Sequence, residues 1–152
     1  RMPAEAVQRE ARKVWIARLL VAIVIFINLQ AALQYILNPN AYSGAFELEG
    51  IPGMAAVMGV GILYVMWQVP YVFAAINPIA HRLSLTEAVL MQAIGLLGET
   101  LLRSRIPVEH TVLRNSILRY ICFDAGGLVL LVVAWTLVNK VVIAQKKAED
   151  PC

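Results

Sequence analysis

Four long apolar blocks constrain this chain more than any other feature. They run over residues 19–37, 51–76, 83–102 and 117–138. Each is close to the ~20 residues a helix needs to cross a ~30 Å hydrocarbon core. The expected fold is therefore all-α: an integral membrane bundle of four transmembrane helices, in one domain spanning 1–152. Composition agrees, with 60% of the chain hydrophobic and 15% charged. A soluble domain is nearer half apolar and about a quarter charged.

Local signals set the boundaries. Residues 4–18 are polar and helix-prone, carry Arg9, Arg12, Lys13 and Arg18 around Trp15, and read as an amphipathic lead-in at the headgroups. The alternative is a solvated tail. Helix 1 is expected over 19–37 and ends at Asn38-Pro39, because the residue before a proline is pushed out of the helical region. Residues 38–52 form a first loop without basic residues, closed by the turn Gly50-Ile51-Pro52-Gly53. Helix 2 follows over 54–76, with a kink expected at Pro70, which lacks an amide donor. After Asn77-Pro78, Ser84-Leu85-Thr86-Glu87 reads as a capping box opening helix 3, over 84–102.

Helix 3 is the weakest span. Between Glu87 and Glu99 lies a strongly apolar stretch of eleven residues, a rise of only ~17 Å. A buried or interfacial helix is the alternative there. A third loop covers 103–116, where Pro107 suits a first helical turn, and helix 4 runs over 117–138 before a polar tail.

Four spans place both ends on one side of the membrane. That side carries nine of the thirteen Lys and Arg residues: Arg1, Arg9, Arg12, Lys13, Arg18, Arg82, Lys140, Lys146 and Lys147. The other side carries Arg103, Arg105, Arg114 and Arg119. The positive-inside rule then predicts cytoplasmic termini, in a cell (inner) membrane. The net charge of +3 is scattered between and outside the apolar blocks, so nucleic acid is not an expected partner. Cys122 and Cys152 would lie at opposite sides, and no disulfide is expected between them. The chain begins at Arg1 rather than Met, which leaves room for residues upstream.

Several polar side chains fall inside the apolar blocks: Asn28, Gln30, Gln34, Gln68, Gln92, Glu99 and Asp124. Gln92, Gly95 and Glu99 share one face of helix 3, and Arg103 extends it within i+4 reach of Glu99. Tyr120, Asp124 and Gly127 make a similar stripe on helix 4. Gly95 and Gly127, with Gly59 and Gly61 on helix 2, would let helices approach closely. Asp124 lies ~7 Å inside Arg119 at 1.5 Å per residue, a depth like that of Glu99 and Gln34. A polar cluster of Gln34, Glu99 and Asp124 is thus expected near the outer side, with Arg103 or Arg119 as counter-ion. Intramembrane carboxylates suggest a proton- or ligand-handling site, for example around a quinone headgroup. The alternative is that they hold helices or a partner subunit together.

No catalytic, cofactor-ligating or metal-ligating residues are assigned. His81 and His110 fall in loops, which argues against a haem held between membrane histidines. Phosphate-loop, dinucleotide and nucleophile-elbow patterns are missing from the sequence. Met54, Met58 and Met66 read as packing rather than copper ligands.

Arg18-Leu19-Leu20, Leu33 to Pro39 (Leu-Gln-Tyr-Ile-Leu-Asn-Pro), Tyr42, Phe46 and Gly50-Ile51-Pro52 resemble the first helix and loop of the DoxX-like family of small four-helix membrane proteins. Gln34 stands where that family commonly has lysine, and the usual preceding glycine is missing. The resemblance covers about a quarter of the chain in motif and the rest in layout. It implies a membrane partner of quinone-linked or other redox enzymes.

The expected function is an accessory membrane subunit of a bioenergetic, electron-transport complex. Such a subunit would have no catalytic activity and bind no cofactor through ligands of its own. Its partners would be membrane lipids and larger membrane subunits, with quinone contact in reach. An independent DoxX-like redox or quinone-associated protein, or a small transporter, are the alternatives.

Overall fold

A computed structural model describes residues 3–149; Arg1 and Cys152, used above for charge and disulfide expectations, lie outside them. The described chain is all-helical. Helix α1 covers Ala4–Leu37, α2 Pro39–Ser43, α3 Gly50–Ile76, α4 Arg82–Arg105 and α5 Thr111–Glu149, with a single 3-10 turn over Gly44–Phe46. Four of these, α1, α3, α4 and α5, are long and apolar enough to cross a membrane. The chain is a multi-pass membrane protein built as a four-helix bundle.

α1 packs against α3 and α5, α4 packs against α5, and α3 touches α4 more lightly. The helices thus stand in a ring, in the order α1, α3, α4, α5. Arg18 Nε donates to Ala75 O, and Arg82 Nη2 donates to Asn139 Oδ1. These bonds bring the described termini and the α3–α4 turn to one end, here the terminal end. The opposite, far end carries α2 and the 106–110 turn.

The core fills the terminal half, around Val21, Val24, Ala74, Leu85, Leu131 and Val138. Lipid is as apolar as these side chains, so helix association rests on close packing, which small residues permit. Ala17, Ala32, Ala74, Ala88 and Ala134 are all fully buried. Gly61 is the tightest point. A Cβ there would stand 2.9 Å from Ala32 O and 2.9 Å from Ile36 Cγ1. Gly59, expected to serve the same purpose, has nothing within 4 Å of its Cβ position and faces away from any neighbour.

Several boundaries differ from those expected. The lead-in is continuous with the first span, since α1 passes Arg18-Leu19 without a break. Its first turns do not stand alone: Glu10 is buried, with Lys13 Nζ donating to its Oε1 at 2.7 Å. Residues 4–17 precede the level of Ala75, and residues 140–149 follow that of Arg82, so α1 and α5 project together past α3 and α4 by ~15–20 Å. Val141 is buried in that projecting pair.

The expected capping box does not form. α4 opens at Arg82 without a side-chain cap. Asn77 does the capping one turn earlier, where its Oδ1 accepts from Ile79 N and Ala80 N. Pro107 likewise opens a turn, with His110 N donating to its carbonyl, and α5 begins only at Thr111. α3 continues through Pro70. With 24 residues, α4 rises ~36 Å. The short apolar stretch is no obstacle, because Glu99 turns inward rather than to lipid.

The first loop is mostly helical. Asn38-Pro39 ends α1 and starts α2, and the chain folds back over the far end. Glu47 adopts a left-handed conformation (φ 55°) and Gly50 another (φ 64°), which together turn the chain into α3.

Candidate functional site

Beyond the core, the far half of the bundle holds a cavity of about 730 Å³. Asp124 of α5 lines it, tied into a hydrogen-bond chain that crosses three helices. Tyr71 Oη donates to Gln92 Oε1 at 2.7 Å, and Gln92 Nε2 donates to Asp124 Oδ1 at 3.1 Å. This chain forms because Gly127 of α5 carries no Cβ: one there would meet Gln92 Nε2 and Cδ. Gly95 does the same for the other carboxylate oxygen, since its Cβ would strike Asp124 Oδ2.

Glu99 lies one turn beyond Gly95, with its carboxyl group beside that of Asp124. Its Oε2 is buried and has no hydrogen-bond partner. Gln68 is 5% exposed, lines the same cavity, and leaves Oε1 unpartnered. A buried polar atom without a partner costs ~1–3 kcal/mol. Two such atoms on one cavity wall therefore favour an occupant able to hydrogen-bond to them.

The expected cluster is largely assembled. Gln34, Glu99, Arg119 and Asp124 all line the cavity. Arg103 does not. Its Nε donates to Arg114 O, and Arg114 Nη1 donates back to Arg103 O and to Ile106 O. The last turn of α4 and the first of α5 thus tie each other down, and Arg103 is drawn toward the turn. Arg119 is exposed, and among the described residues no ion pair joins either arginine to Glu99 or Asp124. The expected counter-ion is therefore corrected: Asp124 is held by Gln92, and Glu99 lies beside it with no basic partner among the described residues.

Aromatic rings form the rest of the wall and its roof. Tyr35 stands edge-on to Tyr42, at 5.2 Å between centroids, to Phe46 at 6.0 Å and to Tyr120 at 6.5 Å. Phe46 stacks on Tyr120. α2 and the 3-10 turn are thereby fastened as a cap over the far end of the cavity. On α3, Gly61, Tyr64, Gln68 and Tyr71 recur at helical spacing along one inward stripe. That periodicity was available in the sequence, yet only Gln68 and Gly61 drew notice, because an aromatic residue in an apolar block looks like packing.

The cap has a polar latch outside the bundle. Glu47 Oε1 accepts from Leu113 N at 3.1 Å, and Glu47 Oε2 pairs with His110 Nδ1 at 2.5 Å. The hydrogen bond from His110, then that from Leu113 N, holds the Glu47 carboxyl below the usual carboxylate range. The same contact with Glu47 pushes His110 above the usual imidazole value.

No family model, curated protein or solved structure matches the chain.

Proposed function

We propose that the chain is a membrane-embedded binding protein for a lipid-soluble ligand with a flat, polar headgroup of the quinone type. The observation that carries this reading is the pair of unpartnered buried atoms, Gln68 Oε1 and Glu99 Oε2, on the wall of one aromatic cavity. The volume suits such a ligand, since small-molecule sites span ~300–1,000 Å³. Ring faces would stack on Tyr64 and Trp67, as aromatic pairs prefer offset or edge-on contact. The hydroxyl groups of the reduced, quinol form would donate to Glu99 Oε2 and Gln68 Oε1, the two acceptors left without a partner. Asp124, with one oxygen fixed by Gln92, would stand at the headgroup beside Glu99. The likeness to the DoxX-like family points in the same direction.

The test is binding of a quinol analogue, kept reduced, to the purified protein in nanodiscs, wild type against Asp124→Asn and Glu99→Gln. Affinity should fall tenfold or more while the variants stay monodisperse and helical. Unchanged affinity in both would sink the reading. Loss of the fold in both would favour a purely structural role for the carboxyl groups.

A second reading, an accessory subunit of an electron-transport complex, is favoured by the projecting pair of α1 and α5. Val7 and Ile143 are exposed there, on helices that outrun the bundle. In this reading the projecting pair docks a larger subunit on the cytoplasmic side, the side favoured by the basic residues. A mild-detergent pull-down tests it: co-purifying redox subunits support it, and a lone protein counts against it.

A further inference from the structure

The cavity is bounded by two seams of opposite character. On the side between α1 and α5 it meets Gln30, Gln34 and Arg119. Between α3 and α4 it meets Val60, Trp67, Met91, Ile94 and Leu102, with no charged group. The two helices touch near the turn that joins them, where Tyr71 Oη reaches Ala88 O and Gln92. Further out the seam is open. Gly98 lines the cavity there, and nothing stands within 4 Å of its Cβ position. Ile94 and Trp67 line the cavity and are still 69% and 48% exposed. A side chain that borders the cavity and also faces outward marks a mouth; Gln30, Gln34 and Arg119 do so in the other seam, but only the α3–α4 mouth is lined by apolar side chains. Gly98 and Ile94 lie within α4, a helix long and apolar enough to cross a membrane, so a mouth between them and α3 would open to lipid.

We infer that the ligand enters sideways from the bilayer, between α3 and α4 at the level of Gly98, and leaves an aliphatic tail in that seam. The ligand class narrows accordingly, to a headgroup bearing a long hydrocarbon or isoprenoid chain. This rests on the headgroup reading above. The geometry sets the polarity of the bound molecule. Its headgroup meets the carboxyl groups of Glu99 and Asp124, and its tail crosses Gly98 toward Ile94. A tail gains much when buried from water, but little when it moves from lipid to an apolar seam, because the two are equally apolar. The seam therefore provides passage more than affinity, and filling it obstructs only ligands that must leave a tail there.

The experiment compares two probes on the full chain in nanodiscs, both kept reduced: decylubiquinol, and the same dimethoxy-methyl-benzoquinol ring without a tail. The variants are Gly98→Trp and, at an exposed position one turn away, Ile94→Trp. The expected result is that the preference for the tailed probe over the tail-less one falls at least tenfold in either variant. An unchanged preference in Ile94→Trp, which keeps its fold because that side chain already faces lipid, overturns the entry route. A fall of the same size from Gln30→Trp, in the other seam, overturns it as well. If the wild type binds neither probe, the headgroup reading falls, and the inference with it.

Discussion

Replacing Gly61 with alanine should loosen the bundle and its cavity together. The methyl group would sit 2.9 Å from the carbonyl oxygen of Ala32 and 3.0 Å from Tyr35 Cβ. Ordinary contact at such atoms begins near ~3.4–4 Å, so α1 must retreat from α3 by roughly half an ångström. The obstacle is partly backbone, which no rotamer change can relieve. Overpacking of a close-packed interior costs ~1–3 kcal/mol. Gly59→Ala provides the internal control, two residues away on the same helix. Nothing stands within 4 Å of that position, so a change within ~0.5 kcal/mol is expected, as for surface substitutions. The assay is reversible unfolding in mixed micelles, followed by far-ultraviolet circular dichroism, with both variants read against wild type. Because Tyr35 lies on the cavity wall, Gly61→Ala should also weaken quinone binding. Equal stability of the two variants would refute the close-approach argument.

Two further outcomes follow from the same contacts. Gln92→Leu removes the donor to Asp124 and the acceptor of Tyr71; interhelical hydrogen bonds in membranes contribute ~0.6 kcal/mol each, up to ~1.7. A loss of about 1–2 kcal/mol in the same unfolding assay, with weakened quinone binding, is expected, and a variant as stable as wild type would show the chain to be incidental. The latch between Glu47 and His110 should hold the cap only within a pH window. His110 is raised above its ordinary 6.5, so its contribution is complete below that value and is lost as pH rises through the raised one. Glu47 is lowered below its ordinary 4.5, so its contribution is present above that value and is lost as pH falls through the lowered one. Hydrogen exchange at Leu113, corrected for the intrinsic rate, should therefore be slowest between those limits. His110→Ala should flatten the alkaline limb, and an identical corrected rate at all pH values would dismiss the latch.

The spans were legible because lipid imposes a length and a composition that little else in a sequence mimics. Their ends were less so. Asn38-Pro39 stops α1 as a proline junction should, yet the chain on its far side is helical, since Pro39 is also a good first helical residue. The Ser84–Glu87 box has the right spacing, but α4 opens at Arg82, out of a turn that the Asn77 side chain holds, and so begins before the serine. Gln34, Glu99 and Asp124 share one cavity, and their similar depth follows from the rise per residue alone. What sits beside their polar groups does not. An arginine at i+4 from a carboxylate is a sound local expectation on an isolated helix. Here the open carbonyls at the end of α4 compete for the basic side chains, and Arg103 and Arg114 are spent on each other's backbones. The partner that did arrive, Gln92, is a neutral group on α4 itself, reaching across to α5 past a glycine. Glycine and glutamine spaced along facing stripes are thus a better sequence sign of a buried carboxylate's partner than the nearest arginine. By that rule Gly61 and Gln68, on the inward stripe of α3, mark the wall from which the remaining polar contact must come.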